Sequence, residues 1–429
     1  MRVAFITLGC KVNSYETDAI SDLFVKRGAM IVDLKEEFDA CIINTCSVTN
    51  QATAKSRKLI RSAIKSNPNA IIAVIGCYSQ MAPKEVESID GVDIILGNID
   101  KASVVDLIYK KVKEKQLINK VENILNYRHF ENLSPISFSK TRAFLKIEDG
   151  CNNFCSYCII PFTRGPIRSK PYKDVINEIN KIVDNGYKEV VLTGIHTGKY
   201  NDNGIDFTTL IKLILNETMI ERLRISSIEL NELTDEFIEI MKNDLRLARH
   251  LHIPLQAGSN HILKLMNRHY LREEFIDKVK KIQQIDPTIS ITTDIIVGFP
   301  EETDNDFNDT LELCKEVGFA KIHAFPFSLR KGTKAENLKP VKDSIKTERM
   351  NRILELDNKL EDEFRQKFIN TIHYVIIETA KNGYLVGHTS NYLEVLLPFE
   401  ENYVGKMVKI KIIEYANEKL YGFIIWYVI

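Results

Sequence analysis

Apolar and polar positions divide the chain into three stretches of different rhythm. Up to about residue 108, short runs rich in β-branched residues (VAFITLGC, ACIINTC and IIAVIGC) alternate with helical patterns. That alternation predicts a parallel sheet with crossover helices. A further run, VDIILGN, predicts one more strand. From residue 142 to about 340 the runs are AFLKIED, EVVLTG, LRISSI, HLHIPL, SITTDIIVG and AKIHAFPF. Helical patterns such as YKDVINEINKIVDNG and NDFNDTLELCKEVG lie between them. Six β-α units predict a parallel, partly open (β/α)6 barrel. The run DSIKTERMNRILELDNKLEDEFRQKFI is helical in period, and five short alternating runs follow it, from HYVIIETA to KLYGFIIWYVI, with Asn-Gly and Gly turns. These predict a small closed β-barrel. Segment 109–137 is polar and mixed in charge, and predicts a helix tail followed by an irregular linker. The expected fold class is α/β: an N-terminal parallel-sheet domain (1–108), the linker (109–137), a central partial barrel (138–366) and a C-terminal small β-barrel (367–429).

Composition narrows the class without naming a function. With 429 residues, 44% of them hydrophobic and 27% charged, the chain has length for several cores and the balance of a globular protein. Formal net charge is zero, so any nucleic-acid contact must come from a local patch. The N-terminus, MRVAFITLGCKVNSYE, meets a Cys and charged residues too early for a signal peptide. No apolar run approaches a membrane span, so the expectation is a cytoplasmic protein with no membrane partner. The eight cysteines are scattered, which fits a reducing compartment and metal ligation better than a disulfide framework.

Cysteine spacing brings in the chemistry. Cys151, Cys155 and Cys158 form C-x3-C-x2-C directly after the strand-like run that ends in Asp149-Gly150. Three soft thiolates this close can hold three corners of a cubic iron–sulfur cluster and leave the fourth iron open to a ligand. Structural zinc asks for four ligands, and no fourth Cys or His lies nearby. An odd trio is also a poor disulfide set. The spacing matches that of radical S-adenosylmethionine (SAM) enzymes. Tyr157 puts a flat ring at the edge of this site. Cys10, Cys46 and Cys77 each close one of the first three strand runs. Ligands of open α/β sheets sit beyond carboxyl strand ends, so these thiols are expected to converge on a second cluster with one open iron. Cys41 and Cys314 read as core packing. Later strand ends offer Gly194 and Gly198, whose backbone can approach SAM, Gln256 as donor and acceptor, and Asp294 with Gly298. His196 and His252 read as structural. Lys55, Arg57, Lys58, Arg61 and Lys65 on one short helix, and Arg330, Lys331 and Lys334 in a loop, are either solvated faces or phosphate contacts. In the tail, Tyr384, Tyr392, Phe399, Tyr403 and Tyr415 with Lys406, Lys409 and Lys411 either stack bases and hold phosphates or fill a small core.

The motifs TLGCKVNSYET, NTCSVTNQATAKSRKLIR, DGCNNFCSYCIIP with the following Arg164, Gly165, Arg168 and Ser169, LTGIHTG, and MNRHY together resemble the methylthiotransferase family of radical SAM enzymes over essentially the full length. The LGCKVN opening resembles the branch acting on threonylcarbamoyl-adenosine at position 37 of tRNA. The tail resembles the TRAM domain, an RNA-binding module. The resemblance implies two 4Fe-4S clusters and SAM as cofactors. Cys151, Cys155 and Cys158 would hold the cluster that chelates SAM, with Tyr157 near its adenine, and Cys10, Cys46 and Cys77 the auxiliary cluster that delivers sulfur. It further implies the tRNA anticodon stem-loop as substrate and an electron donor such as flavodoxin or ferredoxin. Glu301 in GFPEET, and Ala257 and Asn260 in PLQAGSN, depart from the family's common residues.

Overall fold

The computed structural model describes residues 1–111 and 116–427. Residues 112–115 of the expected linker and the last two of the expected final strand lie outside that range.

The first unit is a parallel sheet of β1 (Arg2–Thr7), β2 (Met30–Ile31), β3 (Ala40–Thr45), β4 (Ile71–Gly76), β5 (Ile94–Leu96) and β6 (Ile118–Lys120), in the order β2-β1-β3-β4-β5-β6. Helix α1 (Lys11–Lys26) sends Ile20 and Phe24 into the core on one face, with Val104 and Ile108 of α2 (Val104–Lys111). The helix Asn50–Ser66 closes the other face with Ile60 and Ala63. Coverage on both sides explains why β3 and β4 are continuous apolar runs. The segment read as an irregular linker contributes strand β6, which pairs in parallel with β5. The sheet therefore continues past residue 108, and a polar three-residue edge strand gave no apolar run to read.

The central unit holds β7 (Ala143–Lys146), β8 (Glu189–Thr193), β9 (Arg222–Ile225), β10 (His250–His252), β11 (Ser290–Val297) and β12 (Lys321–Pro326). They form two parallel sheets, β9-β8-β7 and β10-β11-β12, joined by a bridge between Leu223 and Leu247. This is the expected open arrangement of six strands. Alternation along each strand sets what faces where. Leu251, Ile291, Ile295 and Ile322 point into the outer core beneath the helices. The intervening residues His250, His252, Thr292, Asp294 and His323 line an inner cavity of about 1000 Å³. The barrel interior is thus a polar chamber and not a filled core.

The tail is a closed barrel of β13 (Ile372–Lys381), β14 (Tyr384–Thr389), β15 (Glu394–Pro398), β16 (Met407–Ala416) and β17 (Lys419–Tyr427), in the order β13-β14-β15-β17-β16. It is fastened over the chamber. Arg222 donates to Tyr374 O at 2.9 Å and His388 O at 3.1 Å, and Arg224 to Ser390 O at 3.1 Å and Thr389 O at 3.2 Å. The first unit is fastened by a buried network in which Glu16 of α1 pairs with Lys146 at 3.1 Å and Arg164 at 2.8 Å. Among the described residues no helix is long and apolar enough to cross a membrane.

Candidate active site

The loop after β7 is shaped by tight backbone packing. Gly150 has φ +94°, and a Cβ there would lie 2.0 Å from Pro166 O. Cys151 N–H donates to Gly165 O, and Cys158 N–H to Cys155 O, both at 3.0 Å. Asn267 Nδ2 donates to Asn153 O at 3.1 Å, tying the loop to the segment after β10. Cys151, Cys155 and Cys158 line one cavity of about 290 Å³ together with Tyr157, His196, Gln256, Arg268 and Asp294. All three thiols are free. Donors already face the sulfurs: Asn153 N–H lies 3.5 Å from Cys151 Sγ, and Arg268 Nη1 lies 3.7 Å from Cys155 Sγ. Burial pushes the Cys151 and Cys158 thiols up to about 12. Such thiols are poor free nucleophiles, and a cationic metal centre is what would ionise them.

The expected SAM contacts divide. Tyr157 is in the cavity wall, its ring edge-on to Phe299 at 6.4 Å. Gln256, with φ +69°, and Asp294 are in it as well. Gly194 borders the larger chamber, but the N–H groups that follow it are taken: Ile195 and His196 donate to Glu148 Oε2 at 2.9 and 2.6 Å. Glycine is needed there because a Cβ would sit 2.8 Å from that oxygen. Burial raises the Glu148 carboxyl well above its ordinary range. Gly198 likewise makes room for Glu232. Gly298 (φ +70°) lines neither cavity; its N–H donates to Glu302 at 2.9 Å, and a Cβ would strike Lys346. His196 and His252, read as structural, both stand in cavity walls. His196 Nδ1 is 3.7 Å from Cys151 Sγ, and His252 Nε2 is 3.3 Å from Asp294.

The second trio follows three adjacent strands, β1, β3 and β4. Gly9, with φ +107°, folds the β1 end against Cys46; a Cβ on it would lie 3.1 Å from Cys46 Cβ and 3.3 Å from its Sγ. Burial raises the Cys10 and Cys46 thiols, and the neighbouring Cys77 raises both further. Polar groups face this trio too. Asn98 Nδ2 lies 3.6 Å from Cys77 Sγ and 2.7 Å from Thr163 O, and the Cys10 thiol lies 3.8 Å from Asn13 Oδ1. Arg164, fully buried, bonds Asn13 beside Cys10 and also Asp149 beside Cys151, the latter at 3.3 Å. Among the described residues no three His, Cys, Asp or Glu side chains are set to hold a single metal ion. A cubane asks for a wider set, because each thiolate binds a different iron. Each trio is a set of free thiols with a hydrogen-bond donor facing one or more of its sulfurs, the kind of donor set that a 4Fe-4S cluster takes. Cys41 and Cys314 are buried in hydrophobic cores.

The large chamber adjoins both regions. Cys10 lines it, and Ser227, Pro254 and Asp294 border both it and the smaller cavity. Its walls carry Lys11, Arg142, Arg224, His250, His323, Phe144 and Phe325. Burial, with Arg142 and Arg224 nearby, lowers Lys11 to about 8. Burial raises the pKa of Glu189, but Arg224 and Arg222 outweigh it and the carboxyl ends at about 2. Tyr392, one of the tail aromatics expected either to stack bases or to fill a small core, stands at this rim. Its ring stacks on His250 at 4.9 Å and His388 at 4.7 Å, with Arg224 at 4.8 Å and Arg142 at 5.0 Å. In the cationic loop, Arg330 Nη1 donates to Asn50 Oδ1 at 2.7 Å, which staples the central unit to the first. On the helix Asn50–Ser66, Lys55, Lys58, Arg61 and Lys65 are exposed, and Arg57 lies 3.6 Å from Glu85.

Comparison with known proteins places these features. Residues 145–314 match the radical SAM superfamily, and residues 2–97 match the uncharacterized protein family UPF0004. The threonylcarbamoyladenosine tRNA methylthiotransferase MtaB of Bacillus subtilis is 43% identical over 422 residues, covering 96% of this chain and 94% of that protein. The protein of the same name from Aquifex aeolicus is 37% identical, covering 96% and 100%. The tRNA-2-methylthio-N(6)-dimethylallyladenosine synthase of Clostridium perfringens is 36% identical, covering 98% and 96%. Among solved structures, the radical SAM methyltransferase TsrM of Kitasatospora setae superposes with a TM-score of 0.60 at 12% identity, over 78% of this chain and 76% of that one. That likeness is one of fold.

Proposed function

The chain belongs to the radical SAM methylthiotransferase family, and from that premise we propose that it inserts a methylthio group at C2 of N6-threonylcarbamoyladenosine at position 37 of tRNA. What supports the reading is one thiol trio lining the smaller cavity and Cys10 of the other lining the adjoining larger one, which is large enough for a nucleoside. Cys151, Cys155 and Cys158 would hold one 4Fe-4S cluster, and Cys10, Cys46 and Cys77 the other. Bound there with SAM, these groups would supply the radical chemistry, the sulfur and the methyl group of the reaction.

The chain's own residues do the placing. Arg268 and Asn153 N–H direct hydrogen bonds at the first trio's sulfurs, and Asn98 at the second's. Tyr157 walls the SAM cavity, with the Gln256 amide and the Asp294 carboxylate as its polar contacts. Phe144 and Phe325 keep part of the chamber apolar, which limits water around a reactive radical. The tail barrel and the exposed lysines and arginine after Cys46 take the phosphates of the anticodon stem-loop. A small flavodoxin- or ferredoxin-like protein delivers electrons, in the cytoplasm where tRNA and reduced thiols coexist.

The test is anaerobic reconstitution with iron and sulfide, followed by incubation with SAM, a reductant and tRNA from a strain lacking the enzyme, and mass spectrometry of the nucleosides. The expected product is 2-methylthio-N6-threonylcarbamoyladenosine. Methylthiolation of dimethylallyladenosine instead, or of a ribosomal-protein side chain, replaces this reading with one of its two alternatives.

A further inference from the structure

Beneath the tail barrel, Arg142, Arg222 and Arg224 lie against Glu189 and Glu378, and the rest of the chamber lining carries Asp294, Glu361 and Glu394 together with Lys321 and Arg365. The three guanidiniums are accounted for. Arg142 pairs with Glu378 at 3.1 Å; Arg224 and Arg222 pair with Glu189 at 2.6 and 3.3 Å and direct further N–H groups to backbone carbonyls of the tail. Lys11 makes no hydrogen bond or ion pair among the described residues, and its side chain opens into the chamber. A second polar group in the same wall is also without a partner. His250 is 7% exposed, its Nε2 lies 3.1 Å from Thr292 Oγ1, and its Nδ1 is unbonded. Lys11 is moreover the first residue of α1, where the helix dipole adds positive potential.

A cation open to the chamber, in the same lining as an unbonded ring nitrogen, is a site for an anion that brings both a charge and acceptor oxygens. The chemistry of the substrate supplies one. A threonylcarbamoyl group on N6 ends in a carboxylate, whereas a dimethylallyl group has no polar atom. N6 is carried by C6, and C6 and C2 flank the same ring nitrogen of adenine, so an N6 substituent anchored next to Cys10 brings C2 toward the second trio. Resting on the function proposed above, we infer that Lys11, with His250 Nδ1, binds the threonylcarbamoyl carboxylate and is the residue that selects this substrate over adenosines with apolar N6 groups.

The test needs no turnover. Reconstituted protein is titrated against three fluorescent anticodon hairpins that carry, at position 37, threonylcarbamoyladenosine, its carboxylate methyl ester, or dimethylallyladenosine. The wild-type protein is expected to bind the free carboxylate about 5- to 10-fold more tightly than the ester, as expected when a solvent-accessible charge pair loses one partner. Lys11→Met should bring the carboxylate hairpin to the ester's affinity while leaving the ester's affinity, SAM binding and iron content as they were. Equal wild-type affinity for acid and ester overturns the inference, and that comparison needs no variant to fold. Equal weakening of all three hairpins by Lys11→Met also overturns it, by making Lys11 a phosphate contact. If the wild-type protein methylthiolates only the dimethylallyl hairpin, the proposed function fails. If it converts the threonylcarbamoyl hairpin without distinguishing acid from ester, only the role of Lys11 fails.

Discussion

Replacing Glu189 with Gln tests whether one buried carboxylate holds the tail barrel in place. Glu189 lies in β8 with no exposed surface, and it is the anion for both Arg224, at 2.6 Å, and Arg222, at 3.3 Å. The remaining N–H groups of those two arginines reach carbonyls of Tyr374, His388, Thr389 and Ser390 in the tail. Burial alone would raise this carboxyl; Arg224 and Arg222 bring it to about 2 from an ordinary 4.5. At about 1.4 kcal/mol per pH unit the difference corresponds to roughly 3 kcal/mol. Breaking a buried ion pair by removing one partner costs about 3–5 kcal/mol, so the two estimates meet. Glu189→Gln should therefore destabilise by about 3 kcal/mol at neutral pH. The folded pKa is depressed, so this contribution is complete above the unfolded value and is lost as pH falls from about 4.5 toward 2. The gap between wild type and variant should narrow over that window. A chain of several units does not unfold in one step. The assay is thus urea denaturation at pH 7 and pH 4, read with limited proteolysis of the connection near residue 370. The variant should be cut there at lower urea than the wild type, with a smaller difference at pH 4. Identical midpoints at pH 7, or a gap that ignores pH, would refute the reasoning.

Other substitutions probe the cysteine cradles and the rim. Gly9→Ala places a methyl 2.9 Å from Asn13 Nδ2 and 3.1 Å from Cys46 Cβ on a backbone with φ +107°; reconstituted iron should fall to about half while far-UV circular dichroism is kept. Asn98→Leu removes the donor 3.6 Å from Cys77 Sγ and 2.7 Å from Thr163 O. Iron should then pass to a chelator about 10- to 100-fold faster, and an unchanged rate would show that the contact does not support the cluster. Tyr392→Ala removes two ring stacks and two cation–π contacts. It should cost about 2 kcal/mol of tail docking, visible as faster amide exchange along β14.

Much of this architecture was legible because the runs carrying it are locally unambiguous. ACIINTC and IIAVIGC lie in strands buried on both faces and are mostly apolar, VAFITLGC less completely so, and each run ends on its cysteine. The C-x3-C-x2-C spacing is local and needs no fold to be read. What escaped depends on who stands opposite whom. Gly194 and Gly298 looked like ligand contacts, yet the groups filling the space of their missing side chains are Glu148 and Lys346, each more than forty residues away. His250, His252 and Asp294 alternate with Leu251, Ile291 and Ile295 in plain view. The usual rule puts polar positions outside, and here they face a chamber at the centre. Strand β6 is three polar edge residues, recognisable only by its partner β5. Tyr392 belongs by sequence to the tail's aromatics, but a turn at φ +66° carries it back onto the central unit.

That last placement alters how the tail barrel can be regarded. A small domain at the end of a chain invites treatment as a detachable handle, cut away to leave a minimal catalyst of weaker grip. Here its inward loop supplies part of the roof of the reaction chamber, with Tyr392, Leu393 and Glu394 among the residues that enclose it. Truncation before β13 would leave Arg222 and Arg224 without their carbonyl partners and open the nucleoside's compartment to bulk water. The tail barrel is a wall of the chamber and not an appendage to it.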